Sequence, residues 1–323
     1  MERLRTFTII DDLKLIHQLG FDHIRLSIDS SPLLDWQNGR PEGQAFINEL
    51  DRNVDFATSQ GLAVIIDLHP ENSYQKTLLQ GNDPVDAFAH LRIALAKHFS
   101  DRDPNLIFIE RMNEPEQSDT YRWQGIENMV ALRIRQVAPA FTLIAAGAHY
   151  SGLEDLLVLQ PLSRSNVIYT FHDYEPFPFT HQGATWTLPA VEPLHRVPYP
   201  STPKNVADNM AQEPTLSAPF FVEQYGLDRW DAKRVDATIA FAEQWSKKYG
   251  VPVYCGEFGV HRPFADAGSR ARWIQDMRVS LERHNLRWAM WDYQTNFGMV
   301  TKQAGKTIPD PAIVHALGLK PAP

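Results

Sequence analysis

The chain has 323 residues, 43% of them hydrophobic and 22% charged, enough to bury a large core in one barrel-sized domain or in two smaller ones. A formal net charge of -8, without clustered Lys and Arg, excludes a phosphate-gripping nucleic-acid surface and favours a neutral, polar partner. A single cysteine, Cys255, excludes an intramolecular disulfide and a cysteine-based zinc site; no apolar stretch reaches the length of a membrane span, and Met1 is followed by Glu2, Arg3 and Arg5 rather than a signal core.

In chain order, residues 9–19 read as a short helix ending at Gly20, and His23 to Asp29 as a strand whose Ile24, Leu26 and Ile28 share one face. Arg25 lies on the other face, which should point inward. Ile47, Leu50, Val54 and Ala57 mark a helix to Ser59, and the strand AVIIDLH ends at His69. Asp83 is expected to cap the next helix, with Pro84 at its first position and a buried stripe of Phe88, Leu91, Leu95 and Phe99. The stretch LIFIERMNEP, Leu106 to Pro115, reads as a buried strand that ends in Asn113 and Glu114 and is shut off by Pro115, which has no N–H to donate. A helix from Trp123 to Val137, the strand TLIAAGAH (Thr142 to His149), a short helix near 153–159 and the strand VIYTFHDY (Val167 to Tyr174) follow.

The connection from about Glu175 to Trp230 is too long and too rich in Pro, Phe and His for an ordinary loop, and a wall of the site is expected from it. A helix from Asp231 to Tyr249 precedes PVYCGEFGV, which again puts a glutamate, Glu257, just past an apolar run. A helix over about 269–284, the strand RWAMWDYQ and a short helix over 313–317 complete the series. Alternating strands and helices predict a parallel α/β fold, a closed TIM-type (β/α)8 barrel spanning 1–323 as one domain. No Gly-rich phosphate loop follows any strand, which counts against a nucleotide-binding sheet.

Two strands ending in carboxylates supply what glycoside hydrolysis requires: one carboxyl to protonate the leaving oxygen, another to attack the anomeric carbon or to activate water. The motifs RLS, DLH, NEP, HDY, GEFG and WAMWD, in this order at successive strand ends, resemble glycoside hydrolase family 5, the cellulase-type retaining barrels of clan A. The resemblance runs from Phe7 to the C-terminus. It implies Glu114 as acid/base and Glu257 as nucleophile, with Asn113 bonding the sugar 2-hydroxyl. It further implies that Arg25 and Tyr174 hold Glu257, that His172 supports Glu114, that His69 bonds the sugar, and that Trp291 is its stacking floor.

Glu110 shares strand parity with Glu114 but sits deeper, and reads as a structural residue paired with an arginine. His69, His149 and His172 are satisfied interior histidines or metal ligands, although no HxH or HExxH spacing occurs and the carboxylate pair needs no metal or cofactor. Among the loop aromatics Trp36, Phe177, Phe179, Trp186, Tyr225 and Trp230, Trp186 is the preferred sugar platform; Trp123, Trp245, Trp273 and Trp288 read as core.

Relative to the family pattern the chain starts late: only seven strands are found, and the first barrel strand, which family members place before the segment matching Phe7, is expected to be missing. Self-association could compensate, since a lost strand exposes two sheet edges. The resemblance favours an internally cut β-1,4-glucan as substrate and a secreted or periplasmic setting. A β-mannanase, a β-1,3-glucanase, an exo-glucosidase, a catalytically impaired carbohydrate-binding barrel and a metal-dependent hydrolase stay open at this point.

Overall fold

The computed structural model describes residues 10–78, 81–163, 165–212, 217–303 and 305–321. Backbone packing divides the chain into two units, residues 1–171 with 249–254, and residues 172–248 with 255–323.

The first unit is a parallel sheet with its covering helices. Strands β1 (His23–Ile28), β2 (Ala63–Leu68), β3 (Ile107–Glu110), β4 (Thr142–Ala146) and β5 (Val167–His172) pair consecutively, with Arg25 opposite Ile65, Ile65 opposite Phe108, and Glu110 opposite Ile144. Pro252, just before β6 (Val253–Glu257), accepts from the Tyr169 N–H at 2.9 Å and so brings the start of β6 alongside β5. Parallel pairing needs crossovers, supplied by α1 (Ile10–Leu19) ahead of β1, α2 (Ser30–Gln37) and α3 (Pro41–Ser59) after it, α4 (Asn72–Leu78) and α5 (Asn82–Phe99) after β2, α6 (Thr120–Val137) after β3, and α7 (Leu153–Val158) after β4. Val64 to Leu68 of β2 are all buried, as expected where a strand is covered on both faces. The predicted helix stripes form the core: Ile47, Leu50, Val54 and Ala57 of α3, and Phe88, Leu91, Leu95 and Phe99 of α5.

Seven parallel strands lie among the described residues, the number expected from the sequence pattern. Residues 1–9, which precede α1 and include the charged stretch Met1 to Phe7, lie outside the described residues. His23 to Leu26 of β1 are only half-buried, and among the described residues no strand pairs with the other edge of β1.

In the second unit the Glu257 carbonyl accepts from the Asp173 N–H at 3.0 Å, and the Cys255 carbonyl accepts from the Ala289 N–H at 2.9 Å beside β7 (Arg287–Trp288). Its helices are α8 (Phe177–Thr180), α9 (Ala207–Gln212), α10 (Ser217–Asp228), α11 (Ala232–Tyr249), α12 (Ala267–Arg283) and α13 (Pro311–Ala316), with an antiparallel hairpin of β8 (Val300–Gln303) and β9 (Lys306–Pro309).

Several expectations change. The segment 175–230 is not a structureless loop, since it carries α8, α9 and α10; Phe179, Tyr225 and Trp230 within it are buried, which makes them anchors of that segment rather than sugar platforms. The helix expected to be capped by Asp83 starts two residues earlier, with Gly81 at its N-cap, so Asp83 lies in the first turn, where its charge complements the helix dipole. The expected strand RWAMWDYQ keeps ladder geometry only over Arg287–Trp288, and Trp288 is half-buried. No helix among the described residues is long and apolar enough to cross a membrane.

Candidate active site

The first unit carries Arg25 within β1, His69 just past β2, and Asn113 and Glu114 in the turn after β3. Arg25 projects from β1 with a side chain only 4% exposed, and its guanidinium meets two carboxylates and an amide. Its Nε donates to Glu110 Oε2 at 2.6 Å and its Nη2 to Glu110 Oε1 at 2.8 Å and to Asn113 Oδ1 at 2.9 Å, while Asp67 Oδ2 forms an ion pair with Nη2 at 3.1 Å. The planar fork of an arginine suits such a bidentate carboxylate. Glu110 is thus the arginine-paired residue that strand parity predicts.

Asn113 is fixed at both ends of its amide. Its oxygen accepts from Arg25, which leaves its Nδ2 to face His69 Nε2 at 3.3 Å. That contact requires Nε2 to be an acceptor, so the His69 proton sits on Nδ1, where Asp67 Oδ2 lies 3.3 Å away. The main chain agrees: the Asn113 N–H donates to Leu68 O at 2.8 Å and the His69 N–H to Ile28 O at 2.8 Å, pinning both loops to the preceding strand ends. Burial alone would raise the pKa of Asp67, but the Arg25 guanidinium and the His69 ring outweigh it and hold the carboxyl below its ordinary value. Glu114 follows with a left-handed backbone, φ 39°, and its side chain is half-buried.

The second unit gathers His172, Tyr174, Glu257 and Trp291. Glu257, 4% exposed at the end of β6, accepts a hydrogen bond from the Tyr174 hydroxyl at 2.9 Å, and His172 Nδ1 stands 3.7 Å from the same Oε2. His172 thus stands beside the Glu257 carboxylate. Trp291 is held by its N–H to Phe258 O at 2.9 Å, and a Cβ on Gly259 would overlap the Trp291 carbonyl, so only glycine lets these two segments approach so closely. Asp292 next to Trp291 has a raised pKa, chiefly from burial, with the Glu257 charge adding to it.

Around Tyr174 lies a set of rings that sequence reasoning largely missed. His181 stacks on Phe177 at 4.0 Å and meets Tyr174 edge-on at 5.0 Å; Phe297 lies 6.0 Å from Tyr174; Trp186, 57% exposed, stands edge-on to His261 at 4.9 Å and 6.3 Å from Phe297. Trp186 is thus linked through Phe297 to Tyr174, whose hydroxyl donates to Glu257. Burial, with His261 nearby, lowers His181 to about 3, so this ring is neutral in ordinary buffers. Asp67 was visible in the DLH motif, but its role needs the register that aligns it with Ser27 on one side and Glu110 on the other.

Comparison with known proteins gives this geometry a family. The model of "Cellulase (glycosyl hydrolase family 5)" matches residues 4–297. The chain belongs to glycosyl hydrolase family 5. Among curated family relatives, "Endoglucanase C" of Acetivibrio thermocellus is 27% identical over 299 residues, covering 91% of this chain and 86% of that protein. "Cellodextrinase A" of Ruminococcus flavefaciens is 27% identical over 293 residues, covering 88% and 78%. Among solved structures, an endoglucanase of the hyperthermophile Thermotoga maritima superposes with a TM-score of 0.74 at 25% identity, covering 95% of this chain and 89% of that one. A hyperthermophilic endo-beta-1,4-glucanase solved with substrate gives 0.74 at 26% identity, covering 96% and 89%. This family 5 chain is a glycoside hydrolase with the TIM-type fold, seven of whose strands lie among the described residues, and its substrates are glycans.

Proposed function

We propose that the chain is a retaining endo-β-1,4-glucanase in which Glu114 is the acid/base and Glu257 the nucleophile. The observation that carries this reading is the buried Glu257 carboxylate at a strand end, gripped by the Tyr174 hydroxyl at 2.9 Å, in a family whose members retain configuration. A nucleophile must present one oxygen to the anomeric carbon, and a donor on the same carboxylate fixes which way it points. Glu114 protonates the departing glycosidic oxygen while Glu257 forms an ester to the anomeric carbon. Glu114 then takes a proton from the water that opens the ester, regenerating both groups. Retention by this route calls for carboxyls about 5 to 5.5 Å apart.

In this reading Asn113, with its Nδ2 edge oriented by His69 and Arg25, meets the sugar 2-hydroxyl, a contact that strengthens as positive charge develops on the ring. His69 bonds the same or the next sugar, Trp291 lies under the ring in the reacting subsite, and Trp186 carries a ring further along the chain. The named activities of the relatives above support a β-1,4-glucan and internal cutting. The steps use carboxyl groups alone and call for no metal or cofactor.

The test is Glu257→Ala and Glu114→Ala on an aryl β-cellobioside, with the product anomer followed by proton NMR. Each variant is expected to lose at least about a thousandfold in kcat while staying folded, and the wild type to release the β-anomer first. Full activity in Glu257→Ala, or an α-anomer first, would overturn the assignment. On soluble cellulose derivatives, viscosity falling ahead of reducing-end release marks internal cutting.

A further inference from the structure

Between the end of β3 and the helices α4, α5 and α6 lies a buried group of cations that the hydrolytic steps do not use. Side chains alternate along a strand, so Glu110, which meets Arg25, and Arg111, the next residue, leave the backbone on opposite sides. The Arg111 N–H still bonds Ile144 O at 3.4 Å, and its side chain turns to α6, where Nε donates to Glu127 Oε2. The other oxygen, Glu127 Oε1, accepts from the Ala146 N–H at 3.3 Å. Arg92 of α5 reaches the same place: its Nη2 donates to the Glu110 carbonyl, one peptide bond from Arg111. Both arginines are fully buried, and Glu127 is 1% exposed.

Donors outnumber acceptors here. Among the described residues, Arg92 Nε and Nη1, Arg111 Nη1 and Nη2, and the Tyr74 hydroxyl of α4 are buried without a protein partner. Asp67, whose charge reaches Arg92, leaves one oxygen, Oδ1, without a donor. Burial lowers the Arg92 guanidinium to about 10; Asp67 opposes this and the Arg111 charge adds to it. Burial likewise raises the Tyr74 phenol to about 12 against the pull of Arg92, which keeps it a proton donor. Each buried donor without an acceptor is costly, and native interiors rarely leave several together. A water molecule brings two donors of its own and cannot absorb the excess, whereas a halide accepts from every side and donates nothing. We propose that a small monovalent anion, chloride in ordinary buffers, binds between the Arg92 and Arg111 guanidiniums and the Tyr74 hydroxyl. The ion would tie α4 and α5 to the strand end that leads into Asn113 and Glu114, whatever substrate the enzyme takes.

To test this, the wild-type protein is exchanged into sodium glutamate, whose anion is too large for an enclosed site, and chloride is titrated in at constant ionic strength. The Tm is expected to rise and level off, by about 3 to 4 °C once chloride passes about a hundred times its dissociation constant, and bromide is expected to act alike. Arg92→Met keeps a side chain of similar length but removes the charge and the unpaired donors, and is expected to abolish the response. Tyr74→Phe, a milder change at a half-buried ring, is expected to raise the half-saturating chloride concentration about tenfold. A wild-type Tm that follows glutamate and chloride equally would rule the site out. So would an unaltered chloride response in Tyr74→Phe, which decides the matter if Arg92→Met does not fold. Anomalous diffraction from wild-type crystals grown in sodium bromide gives an independent reading: an ion touching Arg92 and Arg111 is expected, and bromide on the protein surface alone, an adventitious ion only, would sink the inference.

Discussion

At the scale of single residues, the half of the site built on β1, β2 and β3 is a chain of orientation. Asp67 sets the His69 tautomer, His69 and Arg25 set the Asn113 amide, and Glu110 holds Arg25 in its plane. Asp67 touches no sugar in this scheme and acts through the others. Replacing it by asparagine keeps the shape but offers His69 Nδ1 and Arg25 a neutral oxygen in place of a charged one. Asp67→Asn is expected to lower kcat about ten- to a hundredfold with a smaller change in KM, as found when groups behind the contacting ones are disturbed. It should also destabilise the fold by about 3 kcal/mol, because a buried guanidinium loses an anionic partner. Steady-state kinetics and urea unfolding on the same preparation separate the two; unchanged kcat with lowered stability would make Asp67 structural only. That Glu110 pairs with an arginine was legible from its strand parity, but not that Arg25 is the partner; the Asn113 orientation was not legible either, since it depends on a tautomer that only three-dimensional neighbours decide.

At the scale of elements, the sequence was most readable where burial imposes one period. The stripes of α3 and α5 and the apolar runs of β2 and β3 each give an unmixed signal, and the structure repeats them. Helix α10 was hidden because Val222 and Tyr225 are buried on one side while Phe220 and Leu227 are exposed on the other, so no apolar face stands out. The β8–β9 hairpin was hidden because most of its residues face solvent and alternate weakly. Helix α2 was also missed, and it carries a close approach: a Cβ on Gly43 at the start of α3 would overlap the backbone of Asp35 and Trp36 in α2. Gly43→Ala would ordinarily gain about 1 kcal/mol of helix propensity. Here backbone has to move, not a flexible side-chain end, so the variant is expected to lose about 2 to 3 kcal/mol net. Thermal unfolding checks the sign, and a raised Tm in Gly43→Ala would show that α2 and α3 separate without cost.

At the scale of the whole molecule, the chain carries 39 acidic against 31 basic side chains, and two groups whose folded-state pKa values depart downward, Asp67 in one unit and His181 in the other, tie stability to acid. Their effects on stability have the same sign. The unfolded chain protonates His181 near pH 6.5, while the folded chain, where burial and His261 oppose the charge, waits until about 3. Between those limits the unfolded state binds about one proton more, so stability falls as pH falls, at up to about 1.4 kcal/mol per pH unit from this ring alone. Asp67, held below its ordinary value in the folded state, contributes stability that is present above the unfolded pKa and is lost as pH drops through the folded one. Of these two groups, acid therefore acts first on His181, in the unit that carries Glu257, and only later on Asp67, in the unit that carries Glu114. Chemical denaturation at pH 7 and pH 5 measures the first step: of the stability lost by the wild type, His181→Gln is expected to abolish about 2 kcal/mol, whatever its own cost at pH 7. An equal loss in both proteins would mean that the ring between Phe177 and Tyr174 takes up its proton in the folded state and that the wall beside Glu257 is more hydrated than its packing implies.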